Sequence, residues 1–284
     1  MAVILATGIA TLDIINEVAC YPAEDNEVRA LSQRISRGGN ASNTLCVLSQ
    51  LGHQGFLMAT LIDEADGQVI EADLHRQQID TRFCPRLSEG KMPTSYVTLN
   101  RQNGSRTIVH YRDCPEVDLA TFQQIDLSSF DWLHFEGRNV PELEKILQHC
   151  RQNNQNVPIS LEIEKPREGI EHLFEFADWL LFSKHYAQAK GFSSAEEMLT
   201  ILPANYQATL TWGAEGAYGW HNGEIIYSAA PQLDRVVDSL GAGDTFNAGM
   251  IHRLVANRSL NESLQFASQL AARKCQQYGF ENLV

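Results

Sequence analysis

The sequence predicts an α/β fold: a mostly parallel sheet lies between two layers of helices, and a second, smaller sheet is inserted into it. After residue 130, apolar strand-like segments alternate with amphipathic helical ones, a pattern typical of a parallel sheet with helices on both faces. Near each end of the chain, a glycine turn leads directly into a helix. A hairpin pattern in the first half does not fit the alternation and predicts the smaller sheet.

The first elements follow from local patterns. Residues 3–9 (VILATGI) predict a buried first strand, and residues 27–36 alternate loosely enough for a strand of the small sheet. The segment after Gly38-Gly39-Asn40 predicts a helix that ends near Gly52, because its apolar residues fall at helical spacing.

Residues 94–112 predict the clearest hairpin. Two runs rich in β-branched and aromatic residues flank Asn103-Gly104, the strongest short-range hairpin pattern. Spacing alone leaves two placements open: a lid over a site, or an edge hairpin of the main sheet.

The second half supplies the alternation. In order, it predicts strand DWLHFEG, helix VPELEKILQHCRQN, strands VPISLEIE and FADWLLFS, helix SSAEEMLTILP and strand YQATLTW, then a strand end at VV (236–237) before helix TFNAGMIHRLVA. There is no internal repeat and no long Pro/Gly/Ser linker, so residues 1–284 are expected to form one domain.

Composition excludes several classes of function. The formal net charge of -13 argues against nonspecific binding of nucleic acid, which requires a basic surface. No apolar run approaches the roughly 20 residues of a membrane helix, and the apolar N-terminus lacks a basic start and carries Asp13, so a cytoplasmic protein is expected. The 6 cysteines form no C-x-x-C pair, which disfavours a zinc or redox site.

The segment VVDSLGAGDTFNAG (236–249) carries the chemistry. Gly241, Ala242 and Gly243 let the backbone approach a ligand closely, and a glycine turn entering a helix aims free N–H groups and the helix dipole at an anion. Asp244 at the mouth of this anion site is placed to act as a base in phosphoryl transfer; an unperturbed Asp is ionised at neutral pH. Taken alone, Asp244 could equally be a first-turn carboxylate whose only role is its favourable interaction with the helix dipole.

This segment resembles the C-terminal signature of the ribokinase-like (PfkB) carbohydrate kinases, and Gly38-Gly39-Asn40 resembles their N-terminal signature. The order and separation of the two motifs also fit. The resemblance implies a ribokinase-like three-layer α/β/α core whose β-sheet lid is formed by about residues 14–37 and 92–113.

The resemblance is closer to members of the family that phosphorylate ketoses, and it extends from residue 8 to residue 284. It rests on the fragments YPAEDNEVRALSQRISRGGNASN, NGSRTIV, HFEGRN, EIEKPRE, GFSSAEE, VVDSLGAGDTFNA and KCQQYGF. It implies transfer of the γ-phosphoryl of ATP to the C1 hydroxyl of fructose or a similar ketose.

The resemblance assigns the sugar pocket. It makes Asp244 the base beside an anion hole of Gly241, Ala242 and Gly243. The residues implied to bind the sugar are Asp13, Gly39, Asn40 and Asn43. A carboxylate can accept from two hydroxyls, which suits Asp13 to a vicinal diol, although a strand-end Asp and a turn Asn are the simpler alternatives.

The nucleotide side is implied in the same way. The residues assigned to ATP are Gly213, Ala214, Glu215, Gly216, Gly241 and Asp244. A tight turn at 213–216 is the alternative. The 94–112 hairpin becomes a lid that also pairs two subunits into a homodimer, and Arg106 would contact phosphates unless it is only a surface charge.

The metal site is the least defined. Glu162, Glu164 and Lys165 end a strand, where open α/β sheets place ligands, and Glu164 is a candidate to order a Mg²⁺-bound water unless these charges form only a solvated rim. Many family members have N-x-x-E where this chain has Ser183-Lys184-His185-Tyr186, so the ATP phosphates and waters would hold most of the Mg²⁺. K⁺ is a further candidate cofactor on which the residues give no information.

Three hypotheses for function stay open. The first, which we favour, is a kinase for a ketose such as fructose. The second is a kinase of the same family for ribose, a 2-keto sugar acid or a nucleoside such as adenosine. The third is a sugar-binding protein without catalysis, against which the intact Asp244 argues.

Overall fold

The computed structural model describes residues 1–154 and 156–284. Its strands are β1 (Val3–Thr7), β2 (Thr11–Val18), β3 (Ser32–Gly38), β4 (Gln54–Met58), β5 (Leu61–Ile62), β6 (Ile79–Asp80), β7 (Arg86–Leu87), β8 (Lys91–Asn100), β9 (Arg106–Asp113), β10 (Trp132–Glu136), β11 (Ile159–Ile163), β12 (Trp179–Ser183), β13 (Ala208–Thr211), β14 (Gly216–His221) and β15 (Glu224–Ala229). Its α-helices are α1 (Asn40–Gln50), α2 (Ala65–Arg76), α3 (Leu119–Phe122), α4 (Val140–Asn153), α5 (Lys184–Ala189), α6 (Ala195–Leu199), α7 (Ala242–Val255) and α8 (Leu260–Cys275). Short 3₁₀ helices span Leu127–Ser129, Ile170–Phe176 and Gly213–Glu215.

The main sheet has nine strands in the order β15-β14-β13-β12-β11-β10-β1-β4-β6. Every neighbouring pair from β13 to β6 is parallel, whereas β14 and β15 are antiparallel additions at one edge. The predicted mostly parallel sheet is confirmed, and the carboxyl ends of its parallel strands meet along one edge.

Apolar side chains on the two faces of this sheet form two separate cores. In β1, Leu5 belongs to a core with residues of α4, α5 and α6, whereas Ile4 and Ala6 belong to a core with residues of α1, α2, α7 and α8. Because successive side chains of a strand point to opposite faces, a fully apolar strand requires helices on both. The three-layer prediction is confirmed.

The small sheet has the order β3-β2-β8-β9. β2 pairs parallel with β8, and the outer pairs are antiparallel. The 94–112 hairpin therefore belongs to this sheet and not to an edge of the main sheet; we call the four strands the lid. The one-domain assignment, with lid segments 14–37 and 92–113, stays a prediction.

Two local predictions were wrong. The strand expected at 27–36 begins only at Ser32, where pairing with β2 at Glu17 starts. Val236 and Val237 end no strand: the Val237 amide donates to the Cys275 carbonyl at 2.7 Å, so the end of α8 takes the bond that a neighbouring strand would have supplied. Among the described helices, none is both long and apolar enough to cross a membrane.

Candidate functional site

Two adjoining clefts lie at the carboxyl ends of the parallel strands. A polar cleft of about 750 Å³ is bounded by the lid on one side and the ends of β11 and β12 on the other. A second cleft of about 570 Å³ is bounded by the turn between β13 and β14 and by α7 and α8. They share four lining residues, namely Thr211, Gly213, Ser239 and Gly243. Open α/β sheets bind ligands at this edge.

The glycine turn sits at the junction of the two clefts. Gly241 precedes α7 with φ 79°, and a Cβ there would lie 2.2 Å from the Phe280 ring, so only glycine fits. The amide of Ala242 donates to the Ser239 carbonyl at 3.3 Å, while those of Gly241 and Gly243 have no acceptor in the described part of the chain. Free amides at a helix N-terminus form an anion site.

Asp244 lies in the first turn of α7 and is buried at the wall of the polar cleft. Its Oδ2 accepts a hydrogen bond from Nδ2 of Asn43 on α1 at 2.7 Å. Burial raises the pKa of the Asp244 carboxyl to about 7, the Asn43 bond opposes this shift, and the carboxylates of Glu164 and Glu136 add to it. The expectation of an ordinary, ionised Asp is therefore corrected: this group titrates near neutral pH, where a general base is most effective.

Asp13 faces the polar cleft from the underside of the lid. Thr11 donates its hydroxyl to Asp13 Oδ1 at 2.9 Å, and burial raises the pKa of the Asp13 carboxyl. A Cβ at Gly38 would lie 2.1 Å from Asp13 Oδ2, so the first glycine of the N-terminal turn makes room for this carboxylate. Gly39 directly precedes α1 with φ 97°, and a Cβ there would lie 2.2 Å from the Ile9 carbonyl oxygen.

Asn40 points its amide at two glutamates. Its Nδ2 donates to Glu162 Oε1 at 3.1 Å and to Glu164 Oε2 at 3.3 Å. Asn247 of α7 also donates to Glu162 Oε1 at 3.1 Å, whereas Glu162 Oε2 is buried with no partner among the described residues. Burial raises the pKa of Glu162 well above its usual range. The negative charges of Asp244, Glu136 and Glu164 add to this rise.

Arg106 reaches from β9 of the lid to the glycine turn. Its Nη1 donates to the Ser239 hydroxyl at 3.0 Å, and its side chain lines the polar cleft. The lid therefore places the Arg106 guanidinium beside Ser239, just before the glycine turn, where it faces the same cleft as the candidate anion site.

The 213–216 turn borders the second cleft only in part. Gly213, Ala214 and Gly216 line it. Glu215 lines neither cleft, and its carboxylate lies 3.7 Å from Lys184 Nζ. The structure thus brings the predicted site residues together with the exception of the Glu215 side chain.

Several residues in and around the clefts were not predicted. Glu136 lines neither cleft, but it ends β10, is buried beside the site, and accepts from the Ala41 amide at 2.5 Å. Asn247 could have been found from the sequence, because it lies three residues after Asp244 on the same helix face. The apolar lining of the second cleft could not, since it comes from separate loops and from α7 and α8: Ala230, Pro231, Leu233, Val236, Phe246, Ala271, Ala272 and Cys275.

Comparisons with known proteins agree with this geometry. The family model described as pfkB family carbohydrate kinase matches residues 1–283. The chain belongs to the pfkB family of carbohydrate kinases. Its members transfer phosphate from ATP with Mg²⁺, so this pfkB chain is an ATP-dependent sugar kinase, as predicted.

Individual relatives extend the match to the whole chain. The chain is 41% identical to ketohexokinase from Mus musculus, over 99% of this chain and 98% of that protein. It is 53% identical to an uncharacterized sugar kinase from Dictyostelium discoideum, over 96% of this chain and 91% of that protein. A putative ribokinase from Agrobacterium tumefaciens superposes with a TM-score of 0.87 at 21% identity, covering 98% of this chain and 92% of that one. The predicted family and fold are confirmed, and the predicted resemblance to ketohexokinase extends over nearly the whole chain.

Two glutamates of the polar cleft fit the Mg²⁺ that the family requires. Mg²⁺ prefers oxygen ligands and is commonly held by one or two carboxylates together with substrate phosphates and waters. Glu162 has a buried oxygen without a partner among the described residues, and Glu164 is half-exposed beside it. No group of three or more His, Cys, Asp or Glu side chains in residues 1–154 and 156–284 is arranged to hold a metal. Glu162 and Glu164 would therefore hold it jointly with the nucleotide, where it would neutralise charge on the phosphates.

Proposed function

We propose that this kinase phosphorylates a ketose, with fructose as the acceptor and fructose 1-phosphate as the product. The observation that carries the proposal is the position of Asp244: its carboxylate lines the polar cleft beside Gly243, where the two clefts join. The 41% identity to mouse ketohexokinase supports a ketose as acceptor.

The two clefts suggest how the substrates bind. The apolar cleft beside Gly213 and Gly216 suits the adenine and ribose of ATP, and the phosphates would extend toward the first turn of α7. The sugar would occupy the polar cleft, with two hydroxyls on Asp13 and others on Asn40 and Asn43.

Asp244 then acts as the base. It accepts the proton of the attacking hydroxyl while that oxygen bonds to the γ-phosphorus and the bond from the γ-phosphorus to the β–γ bridging oxygen breaks, which releases ADP. The amides before α7 and the Arg106 guanidinium stabilise the charge on the transferred group.

One observation favours a second class of acceptor, a 2-keto sugar acid. Arg138, Lys165 and Arg167 line the sugar end of the polar cleft. Arg138 is paired with Glu116 and Glu136, but Arg167 has a single hydrogen bond among the described residues, from Nε to the Gly137 carbonyl at 2.9 Å. Its remaining donors could hold a carboxylate.

A coupled assay of ADP release distinguishes these acceptors. We expect fructose to give a kcat/KM at least about tenfold above those of ribose, adenosine and a 2-keto sugar acid, because one or two well-placed hydrogen bonds discriminate by this much or more. Identification of the product as the 1-phosphate would complete the test. A preference for the sugar acid that disappears in Arg167→Met would replace ketose with sugar acid, and no ADP release with any acceptor would contradict both.

The lid also supports a homodimer. Ile35, Ile14, Tyr96 and Val109 lie opposite one another across its four strands and form an apolar row on the outer face. Edge strand β9 is exposed along its whole length. Exposed apolar rows and open strand edges are typical of protein interfaces, so we propose that two copies pair through their lids.

Val109→Lys tests this surface against a matched control. Val109 and Ile201 are each 65% exposed, but Ile201 lies next to α6, away from the lid. We expect light scattering to show a dimer for the wild type and for Ile201→Lys and a monomer for Val109→Lys, because a charge would be buried in the interface. A wild-type monomer at micromolar concentration, or a dimeric Val109→Lys, would refute lid pairing.

We also propose a cytoplasmic location. All 6 cysteines are unpaired, which supports a reducing compartment such as the cytoplasm.

K⁺ remains a candidate activator. A higher kcat in KCl than in tetramethylammonium chloride would show that K⁺ activates the enzyme.

A further inference from the structure

A chain of buried hydrogen bonds runs from α2 to the candidate base. Arg37, a buried residue near the end of β3, donates from Nε to Asp73 Oδ2 of α2 at 2.8 Å. Its Nη1 donates to Asn43 Oδ1 at 2.9 Å and to the Ser42 hydroxyl at 2.8 Å. Asn43 Nδ2 in turn donates to Asp244 Oδ2 at 2.7 Å.

Arg37 determines which way the Asn43 amide faces. A guanidinium can only donate, so the Asn43 oxygen must face Arg37 and the nitrogen must face Asp244. A carboxylate can only accept, so the nitrogen is also the atom that Asp244 requires once it is ionised. Asp73 holds the guanidinium through a second nitrogen, which limits the movement of the whole chain of contacts.

Arg37 is also a cation close enough to Asp244 to lower the pKa of its carboxyl. The other charged groups facing it are Glu136 from β10 and Glu162 and Glu164 from the end of β11. These carboxylates disfavour the ionised base, whereas Arg37 favours it. The same guanidinium favours ionised Asp13 on the sugar side.

We propose that Arg37 is a positioning residue for the phosphoryl transfer: through Asn43 it orients the Asp244 carboxylate, its positive charge offsets the nearby glutamates, and Asp73 holds it in place. The proposal deepens the proposed function, because it rests on Asp244 as the base.

The test uses pH profiles of three variants. In the wild type, kcat/KM for the sugar should fall below about pH 7 as Asp244 is protonated. Arg37→Met should lower kcat about 10–100-fold, the cost of a misplaced catalytic group, and move the acidic limb up by roughly 0.5–1 pH unit, because an opposite charge is removed. Arg37→Lys keeps the positive charge but not the paired N–H donors of the guanidinium. The acidic limb of its pH profile should therefore stay near the wild-type position while kcat remains reduced.

Asp73→Asn and a control separate positioning from folding. Asp73→Asn should lower kcat about 3–10-fold by the same misplacement, with an unchanged KM for ATP. If Arg37→Met does not fold, Asp73→Asn and Arg37→Lys together still test the proposal. Arg151→Met, which removes an arginine paired with Asp178 far from the cleft, should lower Tm without moving the limb.

Wild-type kcat and limb position in both Arg37→Lys and Asp73→Asn would overturn the proposal. An acidic limb that does not move in a folded Arg37→Met would do so as well. If Asp244→Asn is inactive while the Arg37 variants behave as wild type, this proposal alone fails; if Asp244→Asn is active, the base assignment itself fails.

Discussion

Replacing Asp244 with Asn should lower kcat by roughly 10²–10⁴-fold, the contribution of a positioned general base. The substitution keeps the size of the side chain and an oxygen for the Asn43 hydrogen bond at 2.7 Å, so the geometry of the site should survive. The measurement is the coupled assay with saturating ATP and sugar. A kcat within a few-fold of the wild-type value would show that another group takes the proton.

The same variant carries its own control for folding. In the wild type, the pKa of Asp244 is raised by burial to about 7, above its value in the unfolded chain. Its contribution to stability is therefore present below the unfolded-state pKa and is lost as the pH rises through about 7. Asp244→Asn avoids that loss, so at pH 8 its Tm should exceed the wild-type value by roughly 2–4 °C for each 1 kcal/mol gained. The difference should shrink toward pH 4, and a lower Tm at pH 8 would indicate a damaged fold.

Replacing Gly38 with Ala should reduce kcat/KM for the sugar by roughly 100-fold while leaving the KM for ATP near its wild-type value. The new Cβ would lie 2.1 Å from Asp13 Oδ2 and 2.6 Å from the Thr11 hydroxyl. Gly38 is not in the left-handed region, so the cost falls mainly on the position of the Asp13 carboxylate, and displacement of about 1 Å at a binding group costs about that much.

A double-mutant cycle shows whether Gly38 acts through Asp13. In an Asp13→Ala background, Gly38→Ala should cost little further activity, because the group it displaces is already absent. Equal losses in both backgrounds would mean that the lid as a whole, not the carboxylate, has been disturbed. Isothermal titration with an ATP analogue checks that nucleotide binding is intact in all four proteins.

Local patterns were enough for most of the fold. The hairpin at Asn103-Gly104 and the apolar strands of the main sheet were predicted, because turn chemistry and side-chain alternation act over a few residues. Such reasoning wrongly predicted a strand end at Val236-Val237. The Val237 amide instead donates to a carbonyl at the end of α8, a partner almost 40 positions further along the chain that local patterns do not reveal.

The site residues also fall into those that local patterns predicted and those that only the folded structure identified. The two glycine turns with Asn40 and Asp244 could be found, since each is one continuous motif that begins a helix. Arg37 lies directly beside the first motif, yet its role comes from Asp73, Asn43 and Asp244, which only folding brings together. The second cleft is lined by apolar residues from separate loops and from α7 and α8, with no common spacing.

The sequence by itself determined that Asp244 stands behind a glycine turn at the start of a helix, and that Gly38-Gly39-Asn40 forms a second glycine turn that resembles the other signature of the same family. Both are properties of short, continuous segments. Only the tertiary structure decided that Asp244 is buried, hydrogen-bonded to Asn43 and faced by three glutamates and one arginine. The energy of a charge depends on distance and on exclusion of water, so the pKa that suits this carboxylate to take a proton at neutral pH is a property of the assembled site.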